Sequence, residues 1–219
     1  DVGGTDFSFG FDTAVATATE AIDKLHTTAE SHHRVMVLEL MGRDAGFITL
    51  YAGIAGGADV ILIPEIPFRY ETLCKKVNKR VSRGSFFSIF AVSEGASVQG
   101  QAQVYLREGD SIHQSKLGGI SHQVAEYIAR ACDVETRVTV LGHLQRGGSP
   151  TPFDRWLASR LAAEAVRAVG RGELGCMSAL QGNTVVTIPL SEALAIPKRV
   201  NVTGDTVLTA RSLGISLGD

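Results

Sequence analysis

Two hydrophobic rhythms alternate along this chain, and the alternation predicts its architecture. Val15, Ala18, Ala21, Ile22 and Leu25 share one face at helical spacing, so 14–25 reads as a helix, with 26–33 as a polar connection. The run R-V-M-V-L-E-L over 34–40 reads as a strand. Met41-Gly42-Arg43 then turns into a second helix over 44–56. A buried strand is expected over 59–64, a charged amphipathic helix over 70–83, and a strand over 86–92 ending in Ser93-Glu94-Gly95. Residues 96–116 lack a clean period and read as a loop. A helix over 117–131, a strand over 137–141 and a long helix over 152–169 follow. The chain closes with a strand over 184–188, a short helix from Ser191 and a polar tail. Strands alternating with helices predict an α/β fold with a largely parallel sheet.

Composition narrows the classes. At 219 residues and 44% apolar, the chain can bury one large core or two smaller ones. A net charge of −2 gives no sign of a nucleic-acid partner. No apolar run reaches about 18 residues, so no membrane-spanning helix is expected. The start, D-V-G-G-T-D, is acidic and polar, unlike a signal peptide. Cys74, Cys132 and Cys176 are widely spaced, which suits reduced thiols and a cytoplasmic location better than disulfides or a metal site. The pairs Lys75-Lys76 and Lys79-Arg80 read as a solvated helix face.

The chemistry concentrates at predicted strand ends. Parallel α/β sheets bind ligands just past the carboxyl ends of their strands. Here those ends carry Met41-Gly42-Arg43, Glu65, Glu94, and the turn from Gly142 to Arg146. Arginine offers a fixed fork of donors suited to phosphate, so a phosphorylated ligand is expected at the last of these turns. Arg43 either neutralises a phosphoryl group from the start of a helix or pairs with Asp44. Glu94 is either a hydroxyl acceptor for a sugar or an ordinary strand-end carboxylate. His143, beside Arg146 and after Arg137, reads as a phosphate or sugar contact. His32 and His33 are expected on a loop at the surface. No G-x-x-x-x-G-K-[ST] loop, dinucleotide G-x-G-x-x-G or zinc motif is present.

The residues Arg137, Gly142, His143, Gln145, Arg146, Gly147, Gly148, Asp154 and Arg155 match the signature of the phosphofructokinase family without a gap, and the chain resembles that family. Further similarity lies in F-G-F-D-T-A, A-I-D-K-L, S-H-H-R, E-L-M-G-R, I-A-G-G-A-D and I-P-E, in family order. The resemblance implies a phosphofructokinase-like α/β fold: a parallel-sheet sugar-phosphate domain plus part of a second, three-layer α/β domain. The expected division assigns 11–142 with 192–219 to fructose 6-phosphate, and 1–10 with 143–191 to the donor domain.

It also implies transfer of a phosphoryl group from ATP or pyrophosphate to the 1-hydroxyl of fructose 6-phosphate, with Mg²⁺ bound mainly to the donor phosphates. A catalytically silent, sugar-phosphate-binding regulatory subunit is the alternative of another class. By position, Met41 and Gly42 line the sugar, Arg43 stabilises the transferring group, and Glu94 holds sugar hydroxyls. His143 and Arg146 meet the 6-phosphate. Arg34 and Arg137 reach a neighbouring subunit's 6-phosphate, so a homo-oligomer, dimer or tetramer, is expected.

The family's base is the first aspartate of its T-I-D-N-D segment. Asp1 aligns with the second, so the base and the Gly-rich donor loops are expected upstream, and the 219-residue chain alone is expected to be inactive. Asp1 is expected to help place Mg²⁺ or orient the base, with Asp6 near the reaction centre. The resemblance places an effector site near His26, Asp59, Arg83 and Ser85, where only Asp59 and Arg83 keep the charge type. The helix face of Ala158, Leu161, Ala162, Ala165 and Val169 is expected to be apolar and uncovered.

Overall fold

A computed structural model describes residues 2–107, 116–195 and 197–219. Contacts divide the chain into two compact units: Val15–Gln145 with Val200–Asp219, and the residues up to Ala14 with Arg146–Arg199.

The larger unit is built on a parallel sheet of four strands: β1 (Val35–Leu40), β2 (Val60–Leu62), β3 (Ser88–Ser93) and, beyond a short hairpin, β6 (Thr136–Val140). Their order is β2-β3-β1-β6. Strand β1 pairs β3 from Val35↔Ser88 to Leu40↔Ser93, and β6 from Val35↔Thr136 to Glu39↔Val140. Every residue of β1 and of β3 is buried, as expected of central parallel strands covered on both faces.

Alternation splits the core in two. Met36, Leu38 and Leu40 pack with Ile61, Ile89 and Ala91 beneath α1 (Phe11–His32), α2 (Phe47–Ala55) and α7 (Asp205–Ser212). Val35 and Val37 pack with Leu62, Phe90 and Val92 beneath α3 (Tyr70–Val81) and α4 (Ile120–Cys132). Burying each such Val, Leu or Ile contributes roughly 1.5–3 kcal/mol relative to exposure. The chain thus leaves β1 towards a helix on one face and leaves β3 towards a helix on the other. Connections diverging from adjacent strands leave a crevice at their carboxyl ends.

Several boundaries differ from the sequence expectation, each for a local reason. Helix α1 runs on through the polar stretch, because Ala29 continues the buried stripe of Ala18 and Ile22 while the polar residues cover the outer side. His32 is therefore helical. His33 ends the helix at φ 54°, and the Arg34 N–H closes it on the Ala29 carbonyl. The presumed loop over 96–116 contains β4 (Tyr105–Arg107), paired antiparallel with β5 (Lys116–Leu117). Helix α4 starts at Ile120, after Gly118 and Gly119 at positive φ.

The polar tail holds helix α7, whose Val207 and Ala210 are buried. The basic face of α3 is not simply solvated. Lys76 Nζ donates to the Gly214 carbonyl at 2.7 Å, and Arg80 pairs with Asp59 at 2.5 Å.

In the smaller unit, α5 (Pro152–Gly170) packs on a hairpin of β7 (Cys176–Gln181) and β8 (Thr184–Pro189), followed by α6 (Leu190–Ala195). The sequence reading found β8 and missed β7. Thr151 caps α5, and Asp154, 3% exposed, accepts from the Thr13 N–H and hydroxyl at 2.8 and 2.5 Å. Thr5 bonds Leu180, and Asp6 accepts from the Gly182 N–H at 2.5 Å. On α5, Ala162, Ala165, Val166 and Val169 are exposed, whereas Ala158 and Leu161 are half-buried.

Candidate functional site

The carboxyl edge of the parallel sheet gathers three short segments: Met41–Arg43 after β1, Glu94-Gly95 after β3, and Leu141–Gln145 after β6. Strand β1 lies between the other two, so its exit segment is held from both sides.

On the β6 side the holder is Gln145, only 2% exposed. Its Oε1 accepts from the Met41 N–H at 3.4 Å, and its Nε2 donates to the Gly142 carbonyl at 3.3 Å. On the β3 side, Glu94 Oε1 accepts from the Gly42 N–H at 3.4 Å. The Gly42 carbonyl accepts from Ser93 Oγ at 2.7 Å and from the Gly95 N–H at 3.1 Å.

Two glycines make this approach possible. Gly42 sits at φ +151°, where a Cβ would lie 2.9 Å from the Ala45 carbonyl and collide with Ser93 Oγ. Gly95 has no room for a Cβ because the Gly42 and Arg43 backbones lie against it.

The Arg43 side chain is 42% exposed, with Nε 3.9 Å from the Asp44 carboxylate. Contrary to the sequence expectation, Arg43 does not open the helix. Helix α2 begins at Phe47, and its N-cap Gly46 donates to both oxygens of Glu65 at 3.1 Å. Glu65 also accepts from the Val200 N–H at 2.9 Å. It therefore satisfies helix-terminal and loop amides.

His143 is exposed in a 3-10 turn, Gly142–Arg146. Arg146 closes that turn, is exposed, and counts with the smaller unit.

Arg34 and Arg137 lie elsewhere. Arg137 is paired in register with Met36, near the start of β1, and Arg34 precedes that strand. The strand rise puts Arg137 roughly 16 Å from Met41 along the sheet. Both arginines converge on Glu135: Arg34 Nε donates at 2.7 Å, and Arg137 pairs with the other carboxylate oxygen. The Arg34 hydrogen bond, ahead of the charge of Arg137, holds the Glu135 carboxyl below its ordinary range. Within one chain, these arginines sit at the opposite edge from Arg43 and Glu94.

Asp1 lies outside the described residues. Asp59 is buried: it accepts from the Ile89 N–H at 3.0 Å and pairs with Arg80. Its burial raises its pKa. His26 bonds the Gly56 carbonyl at 2.8 Å.

Sequence reasoning missed several supporting residues. Glu39, 5% exposed, accepts from the Ser121 N–H at 3.3 Å and from its hydroxyl, tying β1 to the start of α4. A charged residue inside an otherwise apolar strand was a usable signal for it. Gln145 stood in the signature but carried no recognisable chemistry. Gln103 lay in a segment without a period.

Among the described residues, no group of three or more His, Cys, Asp or Glu side chains is arranged to hold a metal. No described helix is long and apolar enough to cross a membrane.

The sequence matches a family model described as Phosphofructokinase over residues 1–169. It is 56% identical over 219 residues to the ATP-dependent 6-phosphofructokinase of Chloroflexus aggregans, covering 100% of this chain and 60% of that protein. It is 50% identical over 203 residues to the pyrophosphate–fructose 6-phosphate 1-phosphotransferase of Amycolatopsis mediterranei, covering 92% and 59%. Among solved structures it is similar to phosphofructokinase from Saccharomyces cerevisiae, with a TM-score of 0.77 and 32% identity over 97% of this chain and 26% of that one. The chain spans about 60% of the length of the curated relatives it matches.

Proposed function

This chain belongs to the phosphofructokinase family, and we propose that its protein transfers a phosphoryl group from ATP to the 1-hydroxyl of fructose 6-phosphate. The observation that carries the reading is the convergence of Met41, Gly42, Arg43 and Glu94 at one crevice, linked by the Gly42–Glu94 hydrogen bond. Phosphoryl transfer asks mainly for positioning and charge neutralisation. Glu94 has a second carboxylate oxygen to offer sugar hydroxyls beside the one that anchors Gly42. Met41 and Gly42 form the floor under the sugar. Arg43 stabilises charge on the transferring group. His143 and Arg146 take the 6-phosphate. The larger unit is the sugar-phosphate domain, and the smaller is part of the donor domain.

Arg34 and Arg137 serve the 6-phosphate of a neighbouring subunit. Their position at the far edge of the sheet supports that role, because they are too distant to help their own chain's site. The protein is then a homo-oligomer, dimer or tetramer, with half of each phosphate site crossing a boundary. A cytoplasmic location accords with three free thiols. Magnesium supplies charge neutralisation when bound with the donor phosphates. Among the described residues, no group of three or more His, Cys, Asp or Glu side chains is arranged to hold it. A relative named as pyrophosphate-dependent, at 50% identity, makes pyrophosphate the second donor to test.

Arg43→Ala in the complete protein that carries this sequence tests the assignment. Removing a charge that acts in the transition state lowers kcat by roughly 10²–10³-fold. Calorimetric affinity for fructose 6-phosphate should stay close to that of the wild type. Undiminished turnover would overturn the role of Arg43.

A further inference from the structure

We propose that Gln103 is a positioning residue for phosphoryl transfer: a single side-chain amide that locks the backbone of Arg43 to the strand end carrying Glu94. The inference rests on the function proposed above and adds a residue outside the matched motifs.

Gln103 reaches back from the segment after β3. Its Nε2 lies 2.9 Å from the Arg43 carbonyl and 2.9 Å from the Gly95 carbonyl. Both neighbours are acceptors, so the amide group must present its NH₂ there, and both of its N–H bonds are used. Its Oε1 accepts from the Tyr105 hydroxyl at 3.5 Å, on β4. One planar group therefore bridges the exits of β1 and β3, the two strands whose connections diverge.

The contacts that hold Gly42-Arg43 against the β3 exit form a graded set, beginning with the Gly42 N–H on Glu94. Ser93 Oγ and the Gly95 N–H both hold the Gly42 carbonyl. Gln103 alone among them holds the Arg43 carbonyl, one residue further along. The next anchored backbone group is the Gly46 N–H, held by Glu65 three residues on. Without Gln103, the Arg43 carbonyl loses its tie to the Gly95 carbonyl at the β3 exit. Sugar-lining atoms at Met41 and Gly42 keep their own hydrogen bonds to Gln145, Glu94 and Ser93. The loss should therefore reach the transferring group and spare sugar affinity.

The decisive variants are Gln103→Glu, which turns a double donor towards two carbonyls into an acceptor, and Gln103→Ala, which removes it. Displacing a catalytic group by part of an ångström costs about tenfold in rate, and by a full ångström about 10²-fold. In the complete protein, both variants should lower kcat at least about tenfold while KM and calorimetric affinity for fructose 6-phosphate stay near wild type. Thermal unfolding is measured alongside. Wild-type kcat in both variants would overturn the inference, as would a raised KM with kcat retained, which would make Gln103 a sugar contact. Loss of folding in both would make it merely structural and overturn it equally. Absence of turnover in the wild type with either donor would refute the functional reading itself, and this inference with it.

Discussion

An alanine at Gly95 would drive a methyl group into the backbone that carries Arg43. The new Cβ would lie 2.8 Å from the Arg43 carbonyl carbon, 2.8 Å from the Gly42 carbonyl oxygen, and nearer still to the Arg43 oxygen. Carbon atoms settle at about 3.5–4.0 Å, so the Gly42-Arg43 segment must retreat by about 1 Å. The obstacle is backbone on both sides, and no side-chain rotamer relieves it. Gly95 is not at positive φ, so the whole cost is contact rather than conformation.

Overpacking of this kind destabilises by about 1–3 kcal/mol. The retreat also stretches the Gly95 N–H bond to Gly42 and the Gln103 bridge together. A 1 Å displacement at the reacting group costs on the order of 10²-fold in rate. Gly95→Ala should therefore lose about two orders of magnitude in kcat, yet remain folded by chemical denaturation, with a midpoint shifted down. Steady-state assays with fructose 6-phosphate, paired with urea unfolding, read both quantities. Wild-type turnover in a folded Gly95→Ala protein would refute the reasoning that this close approach places Arg43.

Two further predictions concern the edges of the account. If Arg137 serves a neighbour's 6-phosphate, Arg43→Ala and Arg137→Ala proteins, each nearly inactive, should regain partial activity when dissociated and reassembled together. Failure of mixed oligomers to recover would contradict a site shared between subunits. Glu173 is held to about 2, from an ordinary 4.5, by the hydrogen bond from Arg171 and then that from Thr187. A depressed carboxyl contributes stability that is present above 4.5 and lost as pH falls towards 2. Glu173→Gln should therefore weaken the fall in unfolding midpoint across that window, and an unchanged acid profile would show that the pair contributes nothing.

The parallel sheet was legible in the sequence because strands such as V-M-V-L-E-L are buried on both faces and are apolar but for Glu39. The helices were legible wherever an apolar stripe repeated. What failed was of a different kind. Helix α7 was missed because its inward face is Val207 and Ala210 amid polar residues, too thin a stripe to stand out. Strand β7 was missed because C-M-S-A-L-Q mixes small and apolar residues without alternation.

At the candidate site, Arg43, Glu94 and His143 stood out in the sequence by their chemistry, and all three lie on segments at the carboxyl edge of the sheet. The backbone-holding roles of Gln103 and Gln145 were not legible, because they act through amide contacts made between distant segments. The register of β6 against β1 supplied what spacing could not, the separation of Arg34 and Arg137 from Arg43.

The most direct test is turnover of fructose 6-phosphate to fructose 1,6-bisphosphate by the complete protein with Mg²⁺, supplied with ATP in one reaction and pyrophosphate in another. The account predicts turnover with ATP, lost on Arg43→Ala while sugar-phosphate binding persists. Turnover with pyrophosphate alone would reassign the donor. Absence of both turnover and fructose 6-phosphate binding in the wild type would contradict the account at its centre.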